Sequence, residues 1–278
     1  MWSIPYSTSK AVSVHRGTLP VLLTCPHDGK TDPGVAERTV GGSSCPPLNK
    51  RRDLHTRHIT EGVAQAVLDA VGEAPYVVIA DFHRRYIDAN RSPDCAYDDP
   101  KAKPYYDEYH TTIRNFVREI RAENGGLGLL FDIHGTDDAP SDIFLGTGDG
   151  TTIARLLQVD STAMWRRRSL RAFLEAAGYT VSPQKPNVPE ALPGGYTVRT
   201  YGSSNADGLD AIQIEIGSRL RADGLEREVL TDVLVYAMTS LLSRYADSHT
   251  LVAVGQSVDL FDAVAVDSPK RTAKRRRP

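Results

Sequence analysis

The feature that most constrains this chain is a recurrence of short apolar runs, at residues 19–24, 76–80, 127–131, 142–145 and 211–216, separated by longer stretches of helical period. Runs of this length, rich in Val, Ile and Leu, predict strands buried on both faces. The stretch 53–71, DLHTRHITEGVAQAVLDAV, puts Ile59, Val63, Ala66, Val67 and Ala70 on one stripe, and 105–124 and 225–243 behave alike. Strands alternating with such helices predict an α/β fold of three layers, αβα, around a largely parallel central sheet. In sheets of that kind function gathers just beyond the carboxyl ends of the strands. Three of the predicted strands end in chemically loaded residues: TCPHDG, FDIHG and IQIEIG.

A chain of 278 residues with 40% hydrophobic side chains can bury one full core, so a single domain is expected over 1–265. The end, 266–278, carries six basic residues in its last nine and has nothing to bury, which predicts a solvated, disordered tail. A formal net charge of -2 supplies no field for recruiting nucleic acid or an anionic membrane. No apolar stretch approaches the length of a membrane span and no leader pattern opens the chain, so a cytoplasmic location is expected. Cys25, Cys45 and Cys95 are odd in number and widely spaced, which argues against a disulfide framework and suits a reducing compartment. The Gly- and Pro-rich stretches 30–50 and 183–202 are long for connections and read as lids or binding loops.

Three residues at the strand ends suit metal binding and acid–base work. His27 and His134 offer imidazole, the commonest protein metal ligand. Asp132 shares a strand face with His134 by period-two alternation, where it could take the second ring N–H or ligate directly. Glu215 shares a face with Gln213, and a buried carboxylate there requires a cation, a metal or a water beside it. A plain ion pair with Arg219 or Arg221 is the structural alternative. The polar segment 81–94, DFHRRYIDANRSPD, could turn two or three arginines into a cleft. Arg85, Asn90 and Arg91 are the candidates there for holding an anionic group.

PHDG, Asp53-x-x-Thr56, the Arg-x-x-Asp-x-Asn-Arg run from Arg85 to Arg91, Asp-x-His at 132–134, GGYTVRTYG at 194–202 and IEIGSRL together resemble the N-formylglutamate amidohydrolase family, in the same order and over roughly residues 19–225. The resemblance implies a zinc-carboxypeptidase-like fold and hydrolysis of the amide of an N-acyl amino acid, with N-formyl-L-glutamate as reference substrate. It implies one zinc ion on His27 and His134, Glu215 activating the attacking water, and Asn90 with Arg91 receiving a carboxylate. Zinc carboxypeptidases carry a glutamate three residues after the first histidine, but Lys30 stands here. Asp53 is the substitute third ligand and Asp28 the alternative, although an aspartate before a helix is also an ordinary N-cap. Arg199, in the Gly-rich loop, is the candidate for a second carboxylate or the developing oxyanion. The competing readings are a carboxypeptidase-like or aspartoacylase-like amidase on another acyl amino acid or peptide, and a non-catalytic binding protein of the same fold. Oligomeric state is left open.

Overall fold

The computed structural model describes residues 4–39 and 44–247. The boundary expected at residue 265 and the basic tail beyond it lie outside these residues. In chain order the elements are β1 (Ser7–Ser9), β2 (Val12–His15), β3 (Leu19–Cys25), α1 (Thr56–Val71), β4 (Pro75–Ala80), α2 (Pro93–Ala96) and α3 (Lys103–Glu123). They continue as β5 (Leu129–Thr136), β6 (Asp142–Gly146), α4 (Ala154–Val159), α5 (Leu170–Ala176), β7 (Thr180–Ser182), α6 (Tyr196–Tyr201), β8 (Asp210–Gly217), α7 (Ser218–Ala222) and α8 (Gly224–Asp247). All five predicted strands and all three long helices are present. The stretch 183–202, expected as loop, contains the short helix α6.

The eight strands form one sheet in the order β1-β2-β4-β3-β5-β8-β6-β7. β4, β3, β5 and β8 are parallel neighbours at its centre. β2 joins β4 and β6 joins β8 antiparallel, so the direction reverses toward both edges.

Alternation along the central strands divides the core in two. Leu23, Val77, Leu129, Phe131, Ile133, Ile212, Ile214 and Ile216 face a cluster with Ile59, Val63 and Val67 of α1 and Leu234, Met238 and Leu241 of α8. Leu22, Tyr76, Val78, Leu130 and Ala211 face the other way, against Tyr106, Tyr109, Ile113, Phe116 and Ile120 of α3. Each such side chain, fully withdrawn from water, contributes about 1.5–3 kcal/mol. Helices thus cover both faces, giving the expected three layers. α1 begins late: His55 takes the left-handed conformation (φ 71°) just before it, and Gly72 (φ 78°) closes it by donating its N–H to Leu68.

One expectation is overturned. Cys45 and Cys95, 50 residues apart, are disulfide-bonded, and Cys25 alone is free and buried. Folding brings the loop before α1 against α2, a proximity that spacing along the chain does not reveal. The case for a reducing compartment from unpaired thiols therefore falls.

Candidate active site

On the α3 side, the apolar lining gives way to polar groups toward the carboxyl ends of the strands. Thr24 pairs in register with Asp132 and Asp132 with Gln213, and one step further His134 pairs with Glu215. His27 stands just past β3, after Pro26. The chain leaves the strand tightly there, since a Cβ on Gly29 would lie 2.3 Å from the Phe82 carbonyl oxygen. Asp53 reaches the same point from the loop preceding α1, where its N–H donates to the His27 carbonyl at 3.1 Å.

Three ligand atoms converge. His27 Nδ1 and His134 Nδ1 lie 3.2 and 3.3 Å from Asp53 Oδ2, and the group falls within a 4.8 Å span. Both other ring nitrogens are committed: His27 Nε2 donates to Asp88 at 2.6 Å and His134 Nε2 to Asp132 at 2.8 Å. With Nε2 so engaged, Nδ1 is the atom that each ring turns toward the Asp53 carboxylate. Two imidazole nitrogens and a carboxylate oxygen converging on one point form a donor set that a metal ion fits in place of the Nδ1 protons. All three are buried, at 3%, 5% and 1% exposure for His27, Asp53 and His134.

The surroundings bias the charges. Burial alone would push the Asp53 carboxyl up, but His27, His134 and Arg84 outweigh it and hold the carboxyl well below its usual range. Asp88 behaves alike, its burial overcome by Arg84, His27 and Arg38. Burial opposes charge on His134, but Asp132, Asp53 and Glu215 prevail and raise its pKa. Glu215 is raised chiefly by burial, only partly offset by His134. Its side chain, 15% exposed, opens into a cleft with Oε1 3.9 Å from His134 Nδ1. Gln213 accepts from the Gly195 N–H at 2.7 Å and donates to Glu215 at 3.0 Å, which orients the carboxylate.

The cleft, about 360 Å³, is walled by Asn49, Arg51 and Arg52 on one side and Leu192, Pro193, Gly194 and Gly195 on the other. Both long loops marked in the sequence thus contribute to it.

Asn90 and Arg91 line this cleft. The Asn90 amide is held within the protein: Oδ1 accepts from the Thr197 N–H at 2.8 Å, and Nδ2 donates to Gln213 at 3.3 Å. Arg91 keeps its guanidinium partly exposed, 3.7 Å from Asp88. Asp132 sits beside His134, with its second oxygen receiving the Thr24 hydroxyl at 2.6 Å. Asp28 does not join the cluster, because Arg52 and the Arg57 N–H engage its carboxylate. Nor does the Asp53 side chain cap α1, whose N-cap is His55. Glu215 does not pair with Arg221, which binds backbone carbonyls instead.

Two expected residues are not brought in. Arg85 is exposed and pairs with Glu37 at 3.3 Å; in the turn after β4 its neighbour Arg84 points inward instead, to Asp53 and Asp88. Arg199 falls on the solvent side of α6, because Thr197, Val198 and Tyr201 take the buried face. Arg84, Asp88 and Gln213 were not singled out for these roles. The sequence did carry a signal for Asp88, which sits in the Arg-x-x-Asp-x-Asn-Arg run.

Among curated proteins none matches the chain. A crystal structure of the gene product Atu2144 from Agrobacterium tumefaciens is similar at TM-score 0.56 and 18% identity, covering 91% of this chain and 97% of that one, which shows the fold alone. A succinylglutamate desuccinylase from Chromobacterium violaceum overlays at TM-score 0.39 and 13% identity, over 81% of this chain and 68% of that one. A zinc-free form of YNDL overlays at TM-score 0.35 and 14% identity, over 85% and 92%. The sequence model of one family, N-formylglutamate amidohydrolase, matches residues 99–221, a stretch that contains Asp132, His134 and Glu215. The family likeness read from the sequence is thus shown: over residues 99–221 this chain matches the N-formylglutamate amidohydrolases, a family of amide-hydrolysing enzymes.

Proposed function

We propose that this chain is a zinc-dependent amidohydrolase that cleaves the amide of an N-acyl amino acid, with N-formyl-L-glutamate as the reference substrate. The observation that carries the reading is the convergence of His27 Nδ1, Asp53 Oδ2 and His134 Nδ1 beside a carboxylate, Glu215, that opens into a cleft. Three protein ligands of these types suit a catalytic rather than a structural zinc site. When bound, one zinc ion supplies Lewis acidity, polarising an acyl oxygen and acidifying water.

The chain's own residues supply the rest. Glu215, with its pKa raised by burial, takes the proton of the attacking water and passes it to the leaving nitrogen. Gln213 keeps that carboxylate aimed at the cleft. Arg91 holds the carboxylate of the amino-acid portion through charge-assisted hydrogen bonds, while Asn90 orders the cleft wall between Gln213 and α6. Asp88 and Asp132 keep the imidazoles in the tautomer that presents Nδ1.

The test joins elemental analysis with a panel of N-formyl, N-acetyl and peptidyl glutamates and aspartates. The expected result is about one zinc per chain, release of formate from N-formyl-L-glutamate, and loss of both in His27→Ala. Full zinc retention in His27→Ala and His134→Ala overturns the site, and activity confined to acetylated or peptidyl substrates overturns the substrate.

A further inference from the structure

Arg221 lies outside the cleft lining, yet it is 3% exposed and joins the backbone within two residues of Asp53, His134 and Glu215, three of the four residues that carry the proposed chemistry. Its Nε donates to the carbonyl of Ile216, the residue after Glu215, at 2.8 Å. Nη1 donates to the carbonyl of Leu54, the residue after Asp53. Nη2 donates to the carbonyl of Thr136, two residues after His134, at 3.4 Å, and to the Asp137 carboxylate at 3.2 Å. The guanidinium lies so close to Gly135 that an added Cβ would be 2.4 Å from Cζ. One rigid, planar cation therefore fastens the Asp53 loop, the end of β5 and the end of β8 to one another. Asp53 has most need of such a tie, because it is held by a loop whereas His134 and Glu215 are held by strands.

We infer that Arg221 is the positioning residue that sets the mutual distance of Asp53, His134 and Glu215, and with it metal retention and turnover. This rests on the proposed hydrolytic reading for its kinetic arm. The metal arm needs no substrate.

Arg221→Met, Arg221→Lys and Gly135→Ala are to be compared with the zinc-loaded parent. Resistance of the metal to a competing chelator, kcat and KM separately, and recovery with added guanidinium ion are the readouts. Groups that orient metal ligands typically govern about 10–100-fold in affinity or activity, and a loss of that size is expected in metal retention for Arg221→Met. Its kcat should fall by a similar factor while KM holds, and guanidinium ion should restore part of both. Arg221→Lys keeps the charge but cannot reach three carbonyls, so it should not rescue. Gly135→Ala, which displaces the guanidinium while leaving it in the chain, should reproduce the loss if Arg221→Met fails to fold. Parent-like metal retention in Arg221→Met, or in Gly135→Ala, overturns the inference. Hydrolysis of no panel substrate by a parent that retains zinc overturns the function reading instead and leaves the chelator comparison decisive for Arg221.

Discussion

The two faces of β5 and β8 are made by alternate residues of the same strands, yet they end differently. Toward α1 and α8 the lining stays apolar to the last turn, with Phe131 and Ile133 beside Ile214 and Ile216. Toward α3 it begins apolar, with Leu130 and Ala211, and then becomes Asp132, His134, Gln213 and Glu215. The apolar face is held by transfer from water and close packing, which are indifferent to direction. The polar face is tolerable only because its groups have specified partners; an unpartnered buried donor or acceptor costs about 1–3 kcal/mol. One face therefore provides stiffness, and the other, fixed to it through the shared backbone, holds reactive groups in place.

The sharpest way to break this comparison is Glu215→Gln. The isosteric amide keeps packing and the Gln213 contact but cannot accept a proton. Turnover should fall by about 10²–10⁴-fold with zinc content and stability unchanged. Parent-like turnover would remove Glu215 as the base, and loss of zinc along with activity would make it a ligand.

Phe131→Ala tests the opposite face one residue from Asp132. Removing this fully buried ring should lower unfolding free energy by about 3–5 kcal/mol in urea titrations. The surviving folded protein should keep its metal and kcat. A variant that loses zinc while folded would show that the faces are not separable.

His110, on α3 behind Asn90, asks whether every polar group on that face is functional. Its ring donates from Nε2 to the Ala89 carbonyl at 3.0 Å and contacts the Tyr201 hydroxyl through Nδ1 at 2.9 Å. Burial depresses its pKa to about 4. Below about pH 6.5 the unfolded chain takes up a proton that the folded ring refuses until about pH 4, so stability from the neutral ring is complete above 6.5 and is lost across that interval. The loss should reach about 3 kcal/mol and should vanish from the pH profile of His110→Gln, measured by urea midpoints, with kcat near neutral pH unaffected. An unchanged profile in that variant would show that another group governs the acid limb.

Arg91 and Arg85 give the smallest effects and the cleanest contrast within one segment. Arg91→Met should weaken a substrate bearing a carboxylate by about 1.5–3 kcal/mol in kcat/KM and spare neutral N-formyl analogues. Arg85→Ala should change neither, because an exposed ion pair with Glu37 is worth about 0–1 kcal/mol. Equal losses for both classes of substrate in Arg91→Met would end its role as a carboxylate holder.

The amino-acid sequence by itself determined the alternation of strands and long helices, hence the layered α/β core, and the strand ends at which His27, His134 and Glu215 stand. Period-two spacing put Asp132 beside His134, because facing is fixed within a single strand. Only the tertiary structure decided between Asp53 and Asp28. Both precede or adjoin the start of α1, and which carboxylate reaches the histidines depends on the path of the loop after β3 and on Arg52 engaging Asp28. The same holds for Asp88 as the partner of His27, for Arg84 rather than Arg85 turning inward, and for Arg199 facing solvent. It holds too for the bond between Cys45 and Cys95 and for the reversed direction of β6. Local spacing dictates which residues share a face of one element. Contacts across dozens of residues depend on how loops close and elements pack, and no local period encodes that.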